Sequence, residues 1–230
     1  MSEKKEQKKP PDCLAKLKVD QATINNLLLL QERNREYYGF YKDGKLLEMR
    51  PGDSSSVEIE LLPEDVECEL HIHPDPRTPE IDFENHPTIE KKQKECAVRA
   101  NRKRTDTVSP NDAVIAAQLR YKLGIANLVV SKNKITQYRL LDDEKFNTFK
   151  KQVKGKGRLT ETKLAKAFNQ KFDDLTEELQ RQIYDENQDF SFCGHEEYWT
   201  KLQSEWVKFL DSIGIEVKPL EVEIKEEEEG

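Results

Sequence analysis

Two histidines separated by one residue end a strand-like run in the sequence CELHIHP. Alternate side chains of a strand share a face, so His71 and His73 are expected to point into one pocket. Two imidazoles supply half of the ligands of a tetrahedral metal site. Because strand histidines are commonly structural or exposed, the pair alone does not establish a metal site. Further ligands must come from elsewhere in the chain.

The sequence SPND at residues 109–112 offers a third ligand at the start of a predicted helix. A carboxylate in a first helical turn is held by backbone N–H groups, so Asp112 would be a rigid oxygen ligand. The hydroxyl of Ser109 could donate to an oxyanion formed nearby. The same residues also make a good helix cap without any metal, and capping is the alternative interpretation.

The elements that would position these residues alternate between helix and strand, which predicts an α/β sandwich. We expect, in chain order, a short strand at 15–20, a helix at 21–34, a hairpin at 36–53, strands at 55–62 and 66–74, a basic helix at 89–104, a helix at 109–124 and two strands within 125–141.

The chain after Asp142 is polar and mainly helical, and ends in a Pro-interrupted strand at 215–224. We therefore predict a disordered lead-in at 1–12, an α/β domain at 13–142 with an insertion at 75–108, a helical region at 143–225 and an acidic tail at 226–230. The glycines of KGKGR, Gly155 and Gly157, are expected to mark the linker between the two parts of the chain. Its tryptophan-bearing helix is read as core, with a protein-partner surface as the alternative.

Composition limits the classes of partner and compartment. The net charge of −7 over 230 residues argues against nucleic acid, whose binding needs excess Lys and Arg. The longest aliphatic run, LLLL at 27–30, is too short to cross a membrane, and no secretory signal is seen. The cysteines (Cys13, Cys68, Cys96, Cys193) are scattered, so we expect reduced thiols in a cytoplasmic protein.

Three short motifs together resemble those of the JAMM (MPN-plus, JAB-like) zinc metalloproteases. HIHP is similar to the family's H-x-H-P element, SPND to its S-x-x-D element, and EYYG at 36–39 to its E-x-x-G element. The order of the elements also agrees over about residues 17–141. The resemblance implies an MPN (cytidine-deaminase-like) sandwich, a mixed β-sheet with flanking helices, here followed by a mainly helical C-terminal extension.

The resemblance also implies roles and a function. His71, His73 and Asp112 would bind Zn²⁺, Glu36 would be the general base, and Ser109 would stabilise the oxyanion. The protein would be a peptidase or isopeptidase acting on a protein substrate such as a ubiquitin-like modifier conjugate. Glu32 and Glu48 are rivals for the base, but only Glu36 has the glycine at the family's spacing.

One departure from the family leaves alternatives open. The 34 residues from Asp75 to Val108 separate HIHP from SPND, where the family's best-known members have only a few. A surface insertion of this size costs little closure entropy. The third ligand could instead lie within it, at Asp75, Asp82 or His86. The alternative functions are a catalytically inactive MPN-fold scaffold and a JAB-like protein of nucleic-acid metabolism that uses the basic insertion.

Overall fold

The computed structural model describes the sheet, the helices packed on it and an N-terminal segment. The residues described are 9–16, 26–27, 29–30, 36–42, 45–47, 49–52, 66–73, 109–117, 124–131, 134–155, 158–186 and 196–221.

Helices and strands with defined bounds follow one another along the described residues. In order they are α1 (Cys13–Lys16), β1 (Tyr37–Lys42), β2 (Lys45–Leu46), β3 (Arg50–Pro51), β4 (Cys68–Ile72), α2 (Pro110–Ile115), β5 (Ala126–Ser131), β6 (Lys134–Leu140), α3 (Asp143–Lys154), α4 (Glu161–Glu186), α5 (Glu196–Ser212) and β7 (Ile215–Glu221).

The described strands form one mixed sheet in the order β2-β1-β4-β5-β6-β7, with β3 pairing with β1. Strands β4 and β5 are parallel, and the other pairs are antiparallel. A parallel pair needs a crossover connection, and α2 lies in the connection between β4 and β5. The chain is therefore an α/β protein with a central mixed sheet and mostly C-terminal helices.

One face of the sheet is covered by the C-terminal helices. Their apolar stripes meet sheet residues such as Val129 and Tyr138 in one buried cluster, with Trp206 completely buried. The region after Asp142 is also joined to the sheet directly, because β7 pairs with β6 along its whole length. Helical region and sheet thus share one core in the described structure.

The tight turn between α5 and β7 depends on Gly214, whose φ is +89°. A Cβ atom at this position would run into the backbone of Asp142, and the carbonyl of Gly214 accepts hydrogen bonds from the N–H groups of Leu141 and Asp142. Glycine is therefore required here both for its backbone conformation and for the close approach.

The opposite face of the sheet carries a second buried cluster, which includes Leu70, Ile72 and Leu128, and the N-terminal segment packs against it. Gln137, which is fully buried, accepts hydrogen bonds through Oε1 from the backbone N–H groups of Cys13 (2.6 Å) and Leu14 (3.3 Å). These contacts fix residues 9–16, termed here the N-terminal strap, on the sheet.

Cys13 of the strap forms a disulfide with Cys68 at the start of β4, with Cα atoms 6.2 Å apart. This separation lies within the usual range for disulfides. The expectation of reduced thiols is therefore wrong for this pair. The pairing depends on how the strap crosses the sheet, which cysteine spacing does not reveal. Cys96 and Cys193 lie outside the described residues.

Most of the predicted elements that fall on described residues are confirmed. The hairpin after Glu36, the strand ending at the histidines, the helix that begins after Ser109 and the β5–β6 pair are all present, and residues 26, 27, 29 and 30 are helical. The strand predicted at 15–20 is wrong where it can be compared, because α1 ends at Lys16. The strand predicted at 55–62 and the insertion at 75–108 lie outside the described residues. The division into domains stays a prediction.

Candidate metal centre

The two histidines lie at the carboxyl end of β4, where the chain leaves the sheet. His71 pairs in register with Val129 of β5 and Tyr38 of β1, and His73 follows the last residue of the strand. Strand alternation turns Leu70 and Ile72 toward the strap side of the sheet, and His71 toward the other side. Apolar alternation along β4 thus fixes the direction of the imidazoles.

Asp112 is held in place by the start of helix α2. Ser109 is the N-cap: its Oγ accepts a hydrogen bond from the N–H of Asp112 (3.1 Å), and its own N–H donates to Oδ2 of Asp112 (2.8 Å). Pro110 occupies the first turn, where its missing N–H costs no hydrogen bond. This capping box fixes the carboxylate with Oδ1 directed toward His71 and Oδ2 toward His73.

The three side chains converge on one point. Nε2 of His71 lies 3.2 Å from Nε2 of His73 and 3.4 Å from Oδ1 of Asp112, and Nε2 of His73 lies 3.7 Å from Oδ2 of Asp112. Bonds of roughly 2.0–2.1 Å to a tetrahedral ion separate the ligand atoms by about 3.3 Å. The observed separations fit such an ion, so this group could hold a metal ion.

The electrostatics of the group favour a cation. Burial lowers the pKa of His71, but the negative charge of Asp112, with smaller contributions from Glu69 and Glu36, outweighs burial and raises it. Burial raises the pKa of Asp112, but His71, His73 and the hydrogen bond from Ser109 outweigh burial and lower it strongly. Two imidazole nitrogens 3.2 Å apart also repel unless a proton or a metal lies between them.

Glu36 lies at the edge of this group. The last register pair between β1 and β4 is Tyr37 with Ile72, so Glu36 and His73 each lie one residue beyond it. The backbone carbonyl of Glu36 accepts a hydrogen bond from the N–H of Gly52 (2.8 Å), which anchors the start of the strand. Its carboxylate contributes, after Asp112 and Glu69, to raising the pKa of His71. The strand register thus brings the backbone of Glu36 opposite that of His73.

Ser109 lies beside Asp112, and its hydroxyl oxygen acts as the acceptor in the helix cap. A hydroxyl accepts and donates at once, so its own hydrogen is still available for a substrate oxygen. The structure therefore brings His71, His73, Asp112 and Ser109 together, with Glu36 immediately before the neighbouring strand β1. Their catalytic roles remain predictions.

Two polar residues near the histidines were not recognised from the sequence. Tyr138 of β6 lies 3.4 Å from Nδ1 of His71 through its hydroxyl, and Glu69 is buried two residues before His71 on the same face. Alternation along β4 could have indicated Glu69. Nothing in the sequence could have indicated Tyr138, because its position depends on the order of the strands.

Several residues weighed in the sequence lie outside the described part of the chain. They are the rival bases Glu32 and Glu48 and the alternative ligands Asp75, Asp82 and His86. Among the described helices, none combines the length and apolar character required to cross a membrane.

Comparisons of the chain with protein-family models, with curated proteins and with solved structures gave no match in any of the three.

Proposed function

We propose that this chain is a zinc-dependent peptidase or isopeptidase with an MPN-type sandwich, as its motifs suggest. The observation that carries the proposal is the convergence of His71, His73 and Asp112, which come from two separate elements. Two imidazoles and one carboxylate form the ligand set of many catalytic zinc sites, in which a fourth position is left for water or substrate. A purely structural zinc site would be closed by a fourth protein ligand.

A bound zinc ion would supply Lewis acidity, which makes water a competent nucleophile near neutral pH and polarises the scissile carbonyl. Glu36 would accept the proton of the attacking water and later deliver it to the leaving amine. The hydroxyl of Ser109 would donate to the oxygen of the tetrahedral intermediate. The capping box would keep the carboxylate of Asp112 in a fixed orientation throughout, because both partners lie on one helical turn.

The substrate class follows from the resemblance alone. JAMM-type proteases cut peptide or isopeptide bonds next to ubiquitin or ubiquitin-like modifiers, and the same class is proposed here. The alternative, an inactive scaffold of the same fold, would not need a base and an oxyanion donor beside the three potential metal ligands of the described residues. The place of Glu36 opposite His73 and of Ser109 beside Asp112 therefore supports the enzyme over the scaffold.

The proposal is tested with Glu36→Gln in the full chain. We expect the variant to retain zinc and to hydrolyse a modifier–lysine conjugate roughly 10²–10⁴ times more slowly than the wild type. Glu177→Gln makes the same carboxylate-to-amide replacement at an exposed residue of α4 and should hydrolyse the conjugate at the wild-type rate. A wild type that holds zinc but cleaves no modifier fusion or conjugate would contradict the proposal and favour the scaffold.

A further inference from the structure

The two ring nitrogens of His71 have different neighbours. Nε2 is directed toward Asp112 and His73, at 3.4 Å and 3.2 Å, whereas Nδ1 is directed toward the hydroxyl of Tyr138, at 3.4 Å. The rings of His71 and Tyr138 meet edge to face, with centroids 6.2 Å apart and an interplanar angle of 84°. One nitrogen thus faces the proposed metal, and the other faces a single buried hydroxyl.

The packing of the sheet and helices fixes the side chain of Tyr138 independently of its contact with His71. It lies in the middle of β6, between Asn127 of β5 and Val217 of β7 in register, and its side chain is 1% exposed. Its ring belongs to the cluster that the C-terminal helices cover. A side chain already fixed by packing loses little further entropy when it forms a hydrogen bond.

A neutral imidazole carries one hydrogen, and a metal bound at Nε2 requires that hydrogen to be on Nδ1. A buried N–H group needs an acceptor, because leaving it unpaired costs free energy. The hydroxyl oxygen of Tyr138 is in position to be that acceptor. Metal-binding histidines commonly depend on such an outer partner for their tautomer and ring orientation.

We propose that Tyr138 is the positioning residue of His71: its hydroxyl accepts the Nδ1 hydrogen and keeps Nε2 directed at the metal. This inference rests on the metal centre of the proposed function and adds a residue from a different strand. It also gives the C-terminal region a part in the site, because β7 and the C-terminal helices surround Tyr138.

The test compares Tyr138→Phe with Tyr198→Phe in the full chain. Tyr198 is a suitable control because it is buried in the same cluster, while its hydroxyl bonds to Gln180 and Thr176 of α4. Each substitution removes one oxygen and keeps the ring. Zn²⁺ affinity is measured by competition with a chromogenic chelator, and Co²⁺ absorption reports the ligand field. Circular dichroism checks that both variants are folded.

We expect Tyr138→Phe to bind Zn²⁺ roughly 10–100 times more weakly than the wild type and to alter the Co²⁺ bands. In zinc-loaded wild type, NMR should show a slowly exchanging Nδ1–H proton of His71 that is lost in this variant. Tyr198→Phe should match the wild type in all of these measurements. A packing role for the hydroxyl would change stability without changing the Co²⁺ bands.

Two results would overturn the inference, and they differ in what they say about the metal centre. If the wild type binds metal and Tyr138→Phe has unchanged Zn²⁺ affinity and Co²⁺ bands, Tyr138 does not position His71. The proposed metal centre would still stand. A wild type that binds neither ion would overturn the metal centre and this inference together.

Discussion

Oδ1 of Asp112 lies 3.4 Å from Nε2 of His71, although the whole insertion separates the two residues in the chain. The carboxylate reaches this position because Ser109 holds its other oxygen through a backbone N–H. Helix capping and metal ligation, which the sequence presents as alternatives, are thus compatible: one arrangement caps the helix and directs the carboxylate at both histidines. The cap is the means by which the chain orients a potential ligand.

The first prediction concerns the hydroxyl of Ser109. In Ser109→Ala the backbone N–H still bonds Asp112, so zinc should be retained, whereas the proposed oxyanion donor is lost. We expect kcat to fall roughly 100–1000-fold and Tm to fall by roughly 2–4 °C, from a lost cap of about 1 kcal/mol. Steady-state hydrolysis and thermal unfolding measure the two effects.

Thr160→Ala is the matched control for this variant. Thr160 caps the start of α4, accepting a hydrogen bond from the N–H of Lys163 (3.2 Å), so its loss should lower Tm by a similar amount and leave kcat unchanged. If Ser109→Ala is as active as the wild type, Ser109 acts only as a helix cap and is not the oxyanion donor.

The second prediction concerns the Cys13–Cys68 disulfide. The two cysteines are 55 residues apart, so the bond closes a long loop and restricts the unfolded chain. We expect reduction to cost about 2–4 kcal/mol, which lowers Tm by roughly 5–15 °C. Thermal unfolding with and without reductant measures this difference. Cys13→Ser should have the Tm of the reduced wild type both with and without reductant. A wild-type Tm that does not respond to reductant would contradict the pairing.

The strap also illustrates what the sequence could not reveal. Alternation in CELHIHP predicts β4 and the common face of its histidines, and SPND predicts both the helix and the position of Asp112. These features are local, so periodicity and capping chemistry determine them. The Cys13–Cys68 pair, the β6–β7 pairing and the contact of Tyr138 with His71 depend on strand order, which no local pattern determines.

The third prediction concerns the charge of Asp12 in the strap. Its carboxylate accepts hydrogen bonds from the N–H of Ala15 and from Lys218, and lies 3.5 Å from Arg139. Burial raises the pKa of Asp12, but these partners outweigh burial and lower it below its ordinary value. A carboxylate with a lowered folded-state pKa stabilises the fold above its unfolded pKa, and this stabilisation is lost as pH falls through the folded-state pKa.

Asp12→Asn should therefore lower Tm at pH 7, and the difference from the wild type should shrink below about pH 4. Because the group is partly solvent-exposed, we expect an effect of about 1 kcal/mol or less, or roughly 1–3 °C. Asp173→Asn, at an exposed position of α4, makes the same charge change and should leave Tm at pH 7 close to that of the wild type. A difference that persists unchanged at pH 3 would show that charge is not the cause.

The central claim is that His71, His73 and Asp112 bind one catalytic zinc ion, and metal analysis of purified full-length protein tests it most directly. Asp142→Ala is the control, since Asp142 caps α3 through the N–H groups of Glu144 and Lys145. We predict near-stoichiometric zinc in the wild type and in Asp142→Ala, and its loss in His73→Ala and Asp112→Ala. Zinc retained by Asp112→Ala, or iron or no metal in the wild type, would contradict the account.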